Sequence, residues 1–257
     1  IVSWTIQRDG AGSWKSAMQV ISIGAMGVLL VTLVVFYGTR QPWRFNPEPP
    51  AQWISGQYPE DAIGFMRQHQ VRGPLFNYLG WGGYLIWKAW PDYRVFVDGR
   101  EIDSKAFGDY VRILKGARDW REILDSYGIN TMLVPVVSSR NGAIFPIISK
   151  MAWEGDRLWR PVYLKNNTVL LVRDGQANAE VLECCAMSHE RLYRYIADYS
   201  ALLLIDAPGH RVLLESRAAG LLWSGRPEGI EEARRILLML PDSPIKRALM
   251  KKMSLGR

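Results

Sequence analysis

Three groups of residues in this 257-residue chain have types and spacings that could do chemistry. The first is Gly80-Trp81-Gly82-Gly83, where the apolar run Pro74–Tyr78 gives way to a helical pattern. Backbone amides at such a helix start could cradle an anion such as a phosphate. The run lacks the spacing of a dinucleotide fingerprint and the lysine of a phosphate loop, so a tight strand-to-helix turn is the plainer alternative. The second group is Asp98-Gly99-Arg100, which ends the apolar run Tyr93–Asp98 and is followed by Glu101 and Asp103. Carboxylates at the carboxyl edge of an α/β sheet could hold a metal or a sugar. The alternative is an Asp–Arg pair that pins a loop. If runs 74–78 and 93–98 are adjacent parallel strands, both turns emerge at one edge. Trp81, Arg100 and the helix amides would then offer an aromatic face, a donor fork and a dipole to an anionic or sugar-bearing group.

The third group is weaker. Cys184 and Cys185 are sequence neighbours, which bridge only with severe strain, and they read as a packed pair of free thiols. His69, His189 and His210 are not spaced as metal ligands with one another, and no Ser-His-Asp order with a nucleophile elbow occurs. The expected ligand-binding residues are therefore Gly80, Trp81, Gly82, Gly83, Asp98 and Arg100. No catalytic residue, metal ligand or cofactor is expected.

The elements that must position these residues alternate in type. Pro59-Glu60-Asp61 opens a helix running to about Gln70, since proline and acids suit a first turn. Strands are expected at Pro74–Tyr78, Tyr93–Asp98 and Thr131–Val137, with a helix over Gly82–Trp90, helices near 104–115 and 118–127, and one running to about Trp153. Trp159–Leu164 and Thr168–Arg173 flank Lys165-Asn166-Asn167, a hairpin signal. This is an α/β pattern: a small, mostly parallel sheet closed by an antiparallel edge hairpin. After Gln176 the pattern is all helix, with segments near 178–187, 188–203, 210–224, 228–240 and 243–253.

Residues 16–39 carry no side chain charged at neutral pH, between Lys15 and Arg40. About 20 apolar helical residues cross a bilayer, so this stretch is expected to form a transmembrane helix. Arg8 and Lys15 before it balance Arg40 and Arg44 after it, and charge does not set its orientation. The expected organisation is a flanking segment 1–16, the membrane helix 17–39, a Pro/Trp-rich tether 40–58, an α/β domain 59–175 and a helical extension 176–257. The net charge is +7 and lysines gather near the C-terminus, which suits anionic headgroups or an acidic partner. No nucleic-acid motif accompanies that charge, and nucleic acid is not an expected partner.

The run Asn77-Tyr-Leu-Gly-Trp-Gly-Gly-Tyr-Leu-Ile-Trp87, followed by Trp90-Pro91 and Val95-Phe-Val-Asp-Gly-Arg100, resembles a segment of bacterial polytopic membrane proteins. Many of those proteins look like relatives of the lipid-sugar-dependent glycosyltransferases of the GT-C class. The resemblance covers residues 20–175 and implies an extracytoplasmic domain following the last membrane helix. A tetratricopeptide-like tail accompanies it in some members, and the segments Leu202–Pro208, Leu221–Gly225 and Glu232–Leu237 resemble a degenerate pair of that kind. The family's catalytic carboxylates lie between early membrane helices, so no residue here inherits them. Two expectations attach to Ile1: the chain is the tail of a longer polytopic protein, or a one-span relative. The readings that follow are a membrane-anchored binding or scaffolding domain, the C-terminal part of a transferase handling lipid-linked sugars, or an accessory subunit. Expected partners are the lipid bilayer, other membrane-protein subunits and a lipid-linked sugar.

Overall fold

The computed structural model describes residues 24, 26–29, 31–32, 57–100 and 103–255. The chain divides into two units, Ile1–Ala51 and Gln52–Arg257. In the first, the described residues are helical. Among the described residues no helix is long and apolar enough to cross a membrane. The membrane helix expected over 17–39 is thereby overturned, since a span needs about 20 continuous apolar helical residues. The rest of that stretch, the flanking segment 1–16 and the tether to residue 56 lie outside the described residues.

The second unit is built on four strands: β1 (Leu75–Asn77), β2 (Thr131–Pro135), β3 (Trp159–Lys165) and β4 (Thr168–Arg173). Their order is β1-β2-β4-β3. Only β1 and β2 are parallel; β4 runs antiparallel to both β2 and β3. The sheet is thus mixed rather than mostly parallel. The β3–β4 hairpin turns at Asn166 and Asn167, which have φ of 48° and 61°, the left-handed region that asparagine tolerates.

Ten α-helices of this unit are described: α1 (Glu60–Gln68), α2 (Gly82–Ala89), α3 (Ser104–Leu114), α4 (Trp120–Ser126), α5 (Pro146–Glu154), α6 (Ala179–Cys185), α7 (His189–Asp206), α8 (Arg211–Trp223), α9 (Pro227–Met239) and α10 (Pro244–Leu255). Their ends follow local chemistry. Asp103 caps α3 by accepting from the Lys105 and Ala106 amides, and Ser188 caps α7 by accepting from Arg191 N. Pro146 and Pro227 sit in the first turns of α5 and α9.

Side chains along the strands alternate between two apolar clusters, as a period of two requires. Phe76, Met132, Val134, Val169 and Leu171 face one side, in a cluster shared with α3, α4, α5, α7, α8, α9 and α10. Leu75, Leu133, Leu170 and Val172 face the other, with α1, α2 and Val181 of α6. Burial of both faces explains why the strands read as continuous apolar runs. Within the helical part, Gly220 of α8 lies against α7. A Cβ there would sit 2.7 Å from the Tyr193 carbonyl oxygen and 2.8 Å from Ala197 N.

The run Tyr93–Asp98 is not a strand. β1 is only three residues long, and it hydrogen-bonds to this run through one side chain. Asn77, fully buried, accepts from Phe96 N at 2.7 Å through Oδ1 and donates to the Val97 carbonyl at 2.9 Å through Nδ2. Nδ2 also reaches the Tyr78 carbonyl at 3.0 Å. One carboxamide replaces the backbone ladder a strand would have made.

Candidate functional site

β1 and β2 are parallel, so their carboxyl ends open on one side, and the segments leaving them build a cleft there. After β1 the chain turns through Tyr78 into a short 3-10 turn, Leu79–Trp81, which leads into α2. Tyr78 N donates to the Leu133 carbonyl at 3.1 Å, and Trp81 N to the Tyr78 carbonyl at 3.0 Å. The Tyr78 ring meets Trp81 and Phe145 edge-on, each at 5.5 Å between centroids. It also lies over Gly80, where a Cβ would fall 2.6 Å from its Cε1. The Trp81 indole donates to the Gln57 carbonyl at 2.9 Å. Gly80 and Trp81 thereby line the cleft.

Gly82 faces elsewhere. An added Cβ would collide with the Val97 carbonyl and sit 2.5 Å from the Asp98 Cα. The two turns singled out in the sequence therefore do touch, with glycine allowing the approach. Arg100 does not reach the glycine turn. Its Nε and Nη2 donate to the two oxygens of Asp98, each at 2.8 Å, and its backbone N donates to Oδ1 at 2.9 Å. Those guanidinium bonds outweigh desolvation and hold the Asp98 carboxyl at about 2. Nothing lies within 4 Å of a Cβ placed on Gly83. Gly82, Gly83, Asp98 and Arg100 do not line the cleft among its described residues. The six expected residues thus divide: two at the cleft and four that do not line it.

The opposite wall comes from the segment between β2 and α5, which folds back on itself. Val137 bridges Ile144, Ser138 N donates to the Ala143 carbonyl at 2.7 Å, and Gly142 N donates to the Ser138 carbonyl at 2.8 Å. Asn141 Oδ1 accepts from Ala143 N at 3.1 Å. Gly142 has φ of 73°, and a side chain on it would strike Leu213 of α8. Ser216 of α8 donates to the Gly142 carbonyl at 2.8 Å. The loop is therefore pinned at its base while its tip, Ser139-Arg140-Asn141, stays exposed. Asn167 closes the floor, its carboxamide bonded to both N and O of Val137 at 2.9 and 2.8 Å. The local signal for this loop was Ser-Ser-Arg-Asn-Gly, a turn-rich run directly after an apolar strand.

The cleft encloses about 660 Å³. Its lining combines Tyr58, Tyr78, Trp81 and Tyr199 with Ser138, Ser139, Asn141 and Arg140. Burial pushes the Tyr199 phenol up, so that it stays a neutral donor. No carboxylate or imidazole is among the described lining residues. The Arg140 side chain makes no hydrogen bond or ion pair with the described residues. Rings, amides, hydroxyls and one available guanidinium suit recognition of a polar ligand.

A second grouping escaped sequence reasoning because its members are far apart in the chain. His69 Nδ1 lies 3.7 Å from the sulfur of Cys184 and 3.7 Å from that of Cys185. The two sulfurs are joined to each other, which corrects the reading of free thiols. Elsewhere, His189 is buried and its Nε2 faces the Trp159 carbonyl at 2.9 Å, so the Nε2–H tautomer donates. Burial pushes its pKa below the ordinary histidine value. Comparison of the chain with family models, curated proteins and solved structures finds no match.

Proposed function

We propose that this chain is a binding domain for a sugar carrying an anionic group, with no catalytic step of its own. The reading rests on one juxtaposition: the Tyr78 and Tyr199 rings share a cleft at the carboxyl edge of the parallel pair with the Arg140 guanidinium. Aromatic rings offer flat apolar faces to a sugar ring, and a guanidinium pairs with phosphate or carboxylate through two parallel bonds. Ser139 and Asn141 supply hydroxyl and amide groups for the sugar's hydroxyls. The resemblance to GT-C-related membrane proteins points to the same ligand class, a lipid-linked sugar phosphate. On that resemblance the domain works outside the cytoplasm as part of a larger assembly. Exposed Leu202 and Ile205 on α7, and Leu238 and Met239 on α9, are apolar surface available to other subunits.

Calorimetric titration of the full chain with glucose 1-phosphate, glucose and inorganic phosphate tests the reading. The sugar phosphate should bind more tightly than either part. Arg140→Ala should weaken it by about tenfold or more, the worth of a charge-assisted bond, and leave the weaker glucose binding unchanged. Equal affinity for glucose 1-phosphate in the variant, or no binding of any of the three, would overturn the proposal.

A further inference from the structure

On the far side of the sheet from α7 and α8, the end of α1 meets the end of α6. His69 follows directly after α1, its N–H donating to the Phe65 carbonyl at 3.0 Å. Its ring rests on that of Phe65 at 4.3 Å between centroids, and Phe65 packs in turn on Tyr163 of β3 at 5.2 Å. Cys184 and Cys185 are the last two residues of α6. That helix is anchored by buried Val181, and just beyond it Met187 N donates to the Pro161 carbonyl at 2.7 Å. Asn178, at the start of α6, is buried and clamps the segment that follows His69. Its Oδ1 accepts from Arg72 N at 2.7 Å and its Nδ2 donates to the Arg72 carbonyl at 3.1 Å. The imidazole and the two sulfurs are therefore held at one place by three separate anchors rather than by loose surface chance.

The three donor atoms lie within 4.8 Å of one another. In a tetrahedral zinc site with Zn–S near 2.3 Å and Zn–N near 2.0–2.1 Å, a nitrogen and a sulfur ligand stand about 3.6 Å apart. His69 Nδ1 is 3.7 Å from each sulfur, so the imidazole already stands at the ligand–ligand spacing. Two sulfurs and an imidazole form a soft donor set that suits zinc and its thiophilic neighbours, whereas calcium and magnesium require oxygen. Cys184 is exposed, leaving a fourth position open to water.

We propose that His69, Cys184 and Cys185 form a redox-gated site for a thiophilic divalent ion, closed when the sulfurs are joined and open when they are reduced. A dithiol reductant gives the disulfide two electrons and two protons, leaving two thiols and the reductant's own disulfide. The sulfurs then part to about 3.8 Å, the edge of a tetrahedral site. The incoming ion displaces both thiol protons to solvent, forming two metal–thiolate bonds and one bond to Nδ1.

Titrating the full chain with cobalt, before and after reduction by a phosphine that is then removed, reads the site directly. Reduced protein should show a thiolate-to-cobalt charge-transfer band that saturates at one ion per chain and is displaced by zinc. Oxidised protein should show none. Cys184→Ser and Cys185→Ser should each lose the band. His69→Gln, which keeps side-chain size and is checked for folding by circular dichroism, should weaken zinc by more than the roughly 10–100-fold lost with a group that merely orients a ligand. A reduced chain without the band, equal binding in the oxidised chain, or full zinc affinity in a folded His69→Gln variant would each overturn the proposal. None of these outcomes depends on sugar binding at the cleft.

Discussion

Replacing Asn77 tests the claim that one carboxamide does the work of a missing strand. Its three strong bonds run to Phe96 N, the Val97 carbonyl and the Tyr78 carbonyl, all from a fully buried side chain. At about 1 kcal/mol net for each, Asn77→Ala should lower unfolding stability by about 3 kcal/mol. Asn77→Asp is the sharper perturbation. One carboxylate oxygen can still accept from Phe96 N, but the other replaces Nδ2 and faces two carbonyl oxygens in a buried place. Both the repulsion and the burial favour the protonated carboxyl, so its folded pKa rises above the unfolded value of about 3.9. The folded variant then holds a proton that the unfolded chain has released. Its stability is greatest below about pH 3.9 and falls as pH rises through the folded pKa. Urea unfolding midpoints of variant and parent, compared from pH 3 to pH 8, should diverge with rising pH. A gap that stays constant with pH, or one below about 0.5 kcal/mol, would refute the argument, since ordinary surface changes reach that size.

Two further perturbations read other parts of the fold. Gly220→Ala should destabilise despite improving helix propensity: propensity returns about 1 kcal/mol, but the new Cβ meets backbone atoms of α7 at 2.7 and 2.8 Å, and overpacking of that kind costs about 1–3 kcal/mol. A higher melting temperature in the variant would show that the two helices part freely. For His189, the folded pKa is pushed down by burial, so the unfolded chain takes up a proton first as pH falls below about 6.5. Stability present above that pH should therefore be lost on acidification towards the folded pKa, and His189→Gln should flatten the dependence between pH 7.5 and 5.5 in denaturant melts. An unchanged slope in that variant would place the dependence on other groups.

What could be read in the sequence follows from how far away each residue's partner lies. The β3–β4 hairpin was legible because Asn166-Asn167 needs only its own two neighbours to turn the chain. The start of α1 was legible for the same reason, with Pro59 directly before Glu60 and Asp61 of the first turn. Strands β1, β2 and β4 were legible because both sheet faces are buried and most of their positions are apolar. The run Tyr93–Asp98 has a similar composition but not the same fate, because its hydrogen bonds to the sheet run to a single side chain at the end of a three-residue strand. The glycine turn shows the same division. Gly80 answers to Tyr78, two residues away, whereas Gly82 answers to Val97 and Asp98 and could be placed only once that loop was seen. Arg140 and the His69–Cys184–Cys185 group are the extreme case. Their chemistry depends on a loop pinned to α8 by Ser216 and on a clamp between Asn178 and Arg72. Residue spacing within any one element carries no trace of either. Where chemistry is assembled across such distances, the informative signal is the buried polar side chain that makes the clamp. Ser216 and Asn178, both buried and apart from the expected site, are the residues that hold these two groupings in place.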